Sequence, residues 1–253
     1  MSREANSKKG MVLLIVILSM IFLLPGCKAL GSLAIPQQLT PVVDPSPSII
    51  RISFLDSSTK GLEHVGTGFL YQSNNLVVTC AHVLPSQTNA TPGKDRIEIE
   101  LVQTGQKTNA LVLFRDDLSD IALLKLLETK GEAFLAPSLN EPHQGLQVKA
   151  IGFPNYIQGY TGTYCSGGVI AQGSPQPIEV GGKTFTFAFA DMSVNSGFSG
   201  GPLLDESGNV VGIVNGVKYY QASVKDAPVT ITLFTPISVV DGLIQKNAIL
   251  EKL

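Results

Sequence analysis

The chain has 253 residues, 44% of them apolar and 15% charged, with a formal net charge of −2. That length and apolar share are enough for one large or two small buried cores. The near-neutral charge offers no basic field, so nucleic acid is excluded as an expected partner.

At the N-terminus, Arg3, Lys8 and Lys9 precede the apolar run MVLLIVILSMIFLL. A basic start and an apolar run of about 14 residues fit a secretory signal, whereas a spanning helix needs about 20. The run has no small-x-small site and ends in LPGC, which resembles the lipobox of bacterial lipoproteins. That resemblance implies a lipoprotein signal peptide over residues 1–26, cleavage before Cys27 and lipidation of its thiol. The mature chain would then be held at a membrane of the bacterial cell envelope, facing the periplasm or the cell exterior. An uncleaved N-terminal anchor is the alternative. Residues 27–48 are proline-rich and aperiodic, and read as an extended tether. Of the three cysteines, Cys80 and Cys165 remain, both in apolar strand-like text. A bridge would need their Cα atoms within about 7 Å, and two buried free thiols are expected instead.

From Ile49 the text consists of short strands: IIRISFLD, VGTGFLYQ, NLVVTCAHVL, RIEIELVQ, NALVLFRD and IALLKLLE. Alternation is cleanest at Ile97, Ile99 and Leu101, with Glu98 and Glu100 facing outward. TKGEAFLAPSLNEPHQG interrupts as a linker. Strands resume with QVKAIGFP, TYCSGGVIAQ, TFTFAFAD, GGPLLD, NVVGIVNG and VTITLFTP. Turn signals at short intervals favour an all-β barrel or sandwich over βαβ units. The last stretch, 236–253, differs: Val239, Leu243, Ile244 and Ile249 have helical spacing behind Pro236.

The stretch VNSGFSGGPLLDESGNVVGIVNG crowds Gly197, Gly200, Gly201 and Pro202 around Ser199. A loop needing several special backbone angles would explain it. So would a turn that presents a nucleophile beside free backbone N–H groups, provided that a base exists. Among the histidines, His143 sits in polar loop text and His64 precedes VGTGFL as an ordinary strand-edge residue. His82 follows an apolar strand in a small-residue bend, where the plain alternative is a hydrogen-bonded core histidine. In RDDLSDIALLKL, Asp120 opens an apolar strand, a placement that buries it, while Asp116 and Asp117 suit ordinary turn chemistry. The resulting order, His82, Asp120, Ser199, is one of three that distinguish the known serine-hydrolase designs.

GTGFL, VVTCAHVL, SDIALLKL, AIGFP and the Ser199 stretch together resemble the trypsin-like serine proteases, most closely their bacterial HtrA-like branch. The similarity runs from about Ile49 to Pro236. It implies two six-stranded antiparallel β-barrels, one over about 49–130 and one over about 145–235. They would make up a protease domain over 49–245, with the 236–253 helix at its end. It further implies that Ser199 is the nucleophile, His82 the general base and acid, and Asp120 the orienting carboxylate. Gly197 and Ser199 would supply the oxyanion N–H groups. Gly200 and Gly201 would let the backbone pass tightly behind the serine, and the strand carrying Asn215 and Gly216 would pair with substrate. Ser193 would form the base of the primary specificity pocket, favouring small or medium aliphatic side chains. Phe198 stands where trypsin-type enzymes carry an aspartate that receives a new N-terminus, which argues against activation by propeptide cleavage. HtrA-like enzymes usually carry a PDZ domain after the protease, and the text after Pro236 leads one to expect a helix in its place.

The expected activity is that of a serine endopeptidase with polypeptide substrates, unfolded envelope proteins among them. The alternative is a non-catalytic lipoprotein that keeps a protease fold for binding. No metal cluster, phosphate loop or cofactor motif is present in the sequence, and triad chemistry requires none.

Overall fold

The computed structural model describes residues 44–56, 61–85, 96–128, 130–155, 162–220 and 229–253. The expected signal peptide, Cys27 and most of the expected tether lie outside the described residues. No helix among the described residues is long and apolar enough to cross a membrane.

Twelve strands close into two antiparallel barrels. The first comprises β1 (Ile49–Asp56), β2 (Gly61–Leu70), β3 (Leu76–Thr79), β4 (Arg96–Leu101), β5 (Gln106–Asp116) and β6 (Ile121–Leu126), in the order β1-β2-β3-β6-β5-β4. The second comprises β7 (Gln147–Gly152), β8 (Tyr164–Val180), β9 (Lys183–Asp191), β10 (Pro202–Leu204), β11 (Val210–Tyr220) and β12 (Val229–Pro236), in the order β10-β11-β12-β9-β8-β7. This is the all-β double barrel with a C-terminal helix that the sequence leads one to expect. Closure gives every strand a partner on each side for part of its length, although from Gly216 onward the described pairing of β11 is with β12 alone.

The alternation in β4 works as read. Ile99 and Leu101 are buried, while Glu98 and Glu100 pair at the surface with Lys107 at 2.8 Å and Arg51 at 3.0 Å. Barrel two has its own interior, built from small and medium residues such as Ala150, Ile170, Ala188, Ala190 and Val211. Phe198 is 1% exposed and belongs to that interior, with Tyr164 edge-on at 6.2 Å. Burying such a ring contributes about 1.5–3 kcal/mol and fixes the residue next to Ser199.

The 130–145 segment is tied to both barrels. Parallel bridges join Tyr71 to Leu135 and Pro137 to Val210, and Leu135 is buried. The helix α1 (Ile237–Lys246) starts behind Pro236 and buries Ile237, Val240 and Ile244. Val239, expected in that stripe, is 37% exposed. Each residue turns the helix by about 100°, so a stripe at 237, 240 and 244 leaves 239 on the flank. Tyr71 Oη and Gln72 Nε2 donate to Asp241 at 2.8 and 2.7 Å, pinning the helix to barrel one. After Ala248, in the left-handed region at φ 48°, a short 3-10 turn returns Ile249 to full burial.

Two further expectations are corrected. Cys80 is buried, but Cys165 is exposed on β8, because the strand enters the barrel interior only at Ile170 and none of its first six residues, Tyr164 to Val169, is buried. The strand β8 runs on to Val180, well past the Gln172 at which the sequence pattern stops. Register shifts between Ile170 and Gln172 and between Gln172 and Gln176 absorb Gly173 and Pro175. Beyond them β8 and β9 pair as a long hairpin that turns at Gly181–Gly182.

Candidate active site

His82 sits in a 3-10 turn, Ala81–Val83, directly after β3. Asp120 immediately precedes β6 and is 6% exposed, with φ +55°. A non-glycine residue in the left-handed region costs of the order of 1–3 kcal/mol, and such strain gathers at functional sites. Here it turns the aspartate back toward β3. The Ala81 N–H donates to the Asp120 carbonyl at 3.1 Å, and the His82 N–H donates to Asp120 Oδ1 at 3.0 Å. The imidazole then meets the carboxylate side on, with Nδ1 3.0 Å from Oδ1 and 2.8 Å from Oδ2.

Burial pushes the Asp120 carboxyl up, but the hydrogen bond and charge of His82, with the Asn215 amide and the His82 N–H, outweigh it. The net effect holds the group below its usual 3.8. An ionised carboxylate only accepts hydrogen bonds, so His82 Nδ1 must carry the proton and Nε2 is left with a free lone pair. The His82 side chain is half-exposed, so that lone pair is within reach of a substrate.

Asn215 joins the parts. Its Nδ2 donates to Asp120 Oδ2 at 2.9 Å, and its backbone carbonyl accepts the Ser199 hydroxyl at 3.1 Å. Its Oδ1 accepts from Thr235 Oγ1 at 2.9 Å. The side chain points inward because a register shift between Val214 and Gly216 makes Asn215 the extra residue on β11. Cys80 packs beneath, its thiol donating to the Val214 carbonyl at 3.3 Å; burial and the Asp120 charge push that thiol well above its ordinary value.

The turn carrying Ser199 is bolted to barrel one through Thr67. Thr67 Oγ1 donates to the Gly197 carbonyl at 2.6 Å, and the Thr67 N–H donates to the Ser199 carbonyl at 2.9 Å. The Phe153 N–H donates back to Thr67 Oγ1 at 3.1 Å. Two glycines are dictated by this packing. Gly197 has φ 101°, and a Cβ there would lie 1.9 Å from the Phe153 carbonyl oxygen. Gly200 has φ 84°, and its Cβ would lie 2.1 Å from the Thr67 carbonyl oxygen. The Phe198 N–H is taken by the Asn195 carbonyl at 3.1 Å. Among the described residues, the Gly197 and Ser199 N–H groups are left without a hydrogen bond.

A cleft of about 650 Å³ opens from His82 and Asp120 along Asn215 and Gly216. Its far wall is formed by the outer ends of the β8–β9 and β11–β12 hairpins. Ser193 does not line it; that residue is exposed, and its carbonyl accepts the Ser166 hydroxyl. Asp191 is also exposed. His143 is exposed as expected, and His64 lies in β2, paired with Ser53. The structure thus brings His82, Asp120, Ser199, Gly197, Asn215 and Gly216 to one place and sets Ser193 at the surface. Thr67 and Thr235 went unnoticed in the sequence, where each is one more threonine in β-rich text.

A family model for the trypsin-like peptidase domain matches residues 66–213. The human protein "Serine protease HTRA3" is 31% identical over 151 residues, covering 58% of this chain and 32% of that protein. "Protease Do-like 5, chloroplastic" of Arabidopsis thaliana is 31% identical over 186 residues, covering 66% of this chain and 56% of that protein. "Probable periplasmic serine endoprotease DegP-like" of Rickettsia conorii is 28% identical over 165 residues, covering 65% and 30% respectively. The chain therefore spans between about a third and just over half of the length of the curated relatives it matches.

Proposed function

The chain belongs to the trypsin-like peptidase family, and from that premise we propose that it is a serine endopeptidase working through His82, Asp120 and Ser199. The observation that carries the reading is the His82–Asp120 pair at 2.8 Å, its carboxylate buried and its imidazole half-exposed, linked by Asn215 to a serine on a glycine-bounded turn. In the reaction Ser199 Oγ turns from the Asn215 carbonyl toward His82, gives its proton to Nε2 and attacks the scissile carbonyl carbon. Asp120 holds the imidazole in the Nδ1–H tautomer and stabilises the imidazolium that forms. The Gly197 and Ser199 N–H groups accommodate the developing oxyanion, each such donor contributing about 3 kcal/mol at the transition state. Collapse of the tetrahedral adduct breaks the C–N bond, and His82 returns the proton to the leaving amine. Water then attacks the acyl-enzyme by the same route.

The proposal extends to location. The LPGC sequence supports cleavage before Cys27 and lipidation of that residue, and the similarity to a relative described as periplasmic supports an envelope setting. Unfolded polypeptides of that compartment are the proposed substrates. Labelling with a fluorophosphonate, followed by peptide mapping, tests the chemistry: the adduct is expected on Ser199 and should vanish in His82→Ala. A chain that folds but does not label supports the alternative of a non-catalytic binding module. Mass spectrometry of the mature N-terminus tests the anchor, and an unmodified Cys27 within an intact leader would refute it.

A further inference from the structure

We propose that Thr67 is a positioning residue for the oxyanion hole, its hydroxyl fixing the peptide unit that separates the two N–H donors. This rests on the peptidase reading above and adds a side chain of the first barrel to the machinery of the second.

Three consecutive peptide units run from Ser196 to Ser199, and in each planar trans unit the N–H and C=O point in opposite directions. All three carbonyls are held. The Asn155 N–H donates to the Ser196 carbonyl at 2.9 Å, Thr67 Oγ1 donates to the Gly197 carbonyl at 2.6 Å, and the Gly201 N–H donates to the Phe198 carbonyl at 2.8 Å. The outer two units therefore turn the Gly197 and Ser199 N–H groups to the opposite side, where neither has a hydrogen-bond partner among the described residues. The middle unit is held at both ends, by Thr67 at its carbonyl and by the Asn195 carbonyl at the Phe198 N–H. It sets the angle between the two donors. Of these bonds only the one from Thr67 comes from a side chain.

The need for that bond lies in Gly197. This residue joins the first unit to the second at φ 101°. Glycine visits both signs of φ with similar ease, so the residue that admits the turn does little to stiffen it. Thr67 supplies the stiffness from outside, in two ways. Its hydroxyl accepts the Phe153 N–H at 3.1 Å while donating to Gly197. Phe153 stands two residues before Asn155, whose N–H holds the first unit. One hydroxyl thus braces the middle unit directly and the first unit through a short stretch of chain.

Packing alone does not account for a threonine here. The side chain is fully buried, valine has the same shape and suits a strand as well, and a buried hydroxyl is costly unless it is bonded. The methyl lies close to Gly201, whose added Cβ would be 3.3 Å from Thr67 Cγ2; valine would keep that contact. The Thr67 backbone N–H donates to the Ser199 carbonyl at 2.9 Å and survives substitution of the side chain. Removal of the hydroxyl therefore leaves the serine tied to barrel one, and the His82–Asp120 pair in place, while the hole loses its brace.

The test compares Thr67→Val, Thr67→Ala and Thr67→Ser with the native chain. Circular dichroism reports folding; kcat and KM are measured on a peptide taken from the native chain's own cuts in unfolded casein, together with the rate of fluorophosphonate labelling at Ser199. Outright removal of an oxyanion donor costs about 10²–10³ in kcat, and a donor left in place but unbraced should cost at least about tenfold in Thr67→Val and Thr67→Ala. The labelling rate should fall in parallel, with KM within about twofold of native, the pattern of an interaction made in the transition state. Thr67→Ser, which restores the hydroxyl, should keep kcat within about threefold of native. The midpoint of the pH profile should stay fixed throughout, whereas general loosening of the barrels would raise KM and move it. Equal kcat in the Ala and Ser variants, a loss carried by KM, or a displaced midpoint overturns the proposal. Failure of Thr67→Val and Thr67→Ala to fold also overturns it, since the hydroxyl would then serve folding and not the hole. A native chain that neither cuts nor labels removes the peptidase reading and this proposal with it; native turnover with indifferent variants removes the positioning role alone.

Discussion

Thr235→Val probes the hydrogen bonds behind the triad without touching it. The substitution keeps the shape of the side chain and removes one hydroxyl, which is buried and donates to Asn215 Oδ1 at 2.9 Å. The Asp120 carboxylate can only accept, so Asn215 must turn Nδ2 toward it and Oδ1 toward Thr235; the hydroxyl therefore fixes which way the amide faces. Its nearest other acceptor is the Ser119 carbonyl at 3.5 Å. Valine leaves Oδ1 buried without a donor, which costs about 1–3 kcal/mol. In a domain of this size each kcal/mol lowers Tm by about 2–4 °C. An amide free to rotate also supports Asp120 less well, and a loss of about 1.4 kcal/mol at the transition state would cut kcat/KM tenfold. The pH dependence gives a second readout. The Asp120 pKa is depressed in the folded state, so its contribution to stability is present above about pH 4 and is lost as pH falls through the lowered value. The Thr235→Val deficit should accordingly be largest near neutrality and shrink in acid, and Thr235→Ser should restore both stability and rate. Urea unfolding from pH 3 to pH 7, with kcat/KM on a peptide substrate, measures this. A Thr235→Val protein with unchanged stability, rate and acid profile would refute the reasoning.

Other outcomes follow from the same geometry. Ser199→Ala and His82→Ala should each remove most turnover, and the double variant should be little worse than either in a single-turnover assay, because the triad acts as a unit. Asp120→Asn keeps a residue that tolerates the left-handed backbone, so circular dichroism should be unchanged while the rate falls about 10⁴-fold through the wrong tautomer. Full activity in Asp120→Ala would show that the wrong carboxylate had been chosen. Gly197→Ala drives a methyl into the Phe153 carbonyl; the loop must shift, and loss of an oxyanion donor should cut kcat by about 10²–10³ with KM little changed. Alkylation of the native protein should modify Cys165 and spare Cys80 until denaturant is added, since only the former is exposed; equal labelling would mean that barrel one opens readily.

The architecture was largely legible in the sequence, because its strands are short, bounded by turn residues and strongly patterned. The strands β1 and β12 fall on the stretches that the pattern marks. Where the reading stopped short, a local irregularity hid the pattern. Gly173, Pro175 and Pro177 interrupt β8 in sequence, yet two register shifts carry it on to Glu179 and Val180 at the cleft. The inward turn of Asn215 depends on a similar shift in β11, and no one-dimensional pattern announces a bulge. The His82–Asp120 contact was approachable because both flank apolar strands in a telling order. Thr67 and Thr235 were not, since their importance lies in partners 130 and 20 positions away.

The bolt at Thr67 has a temporal consequence. Ribosomes deliver a chain from its N-terminus, and domains generally fold as units in that order. The first barrel, with His82 and Asp120, is complete in sequence by Leu126, whereas the Gly197 carbonyl that Thr67 grips is made 130 residues after it. Contacts of such long span form late. If His82, Asp120 and Ser199 act as proposed, a nascent chain carries its base and carboxylate before it has a nucleophile to activate, and Ser199 reaches its place only when the second barrel closes against the first. On the proposed peptidase reading, latency during synthesis is then a property of the chain order.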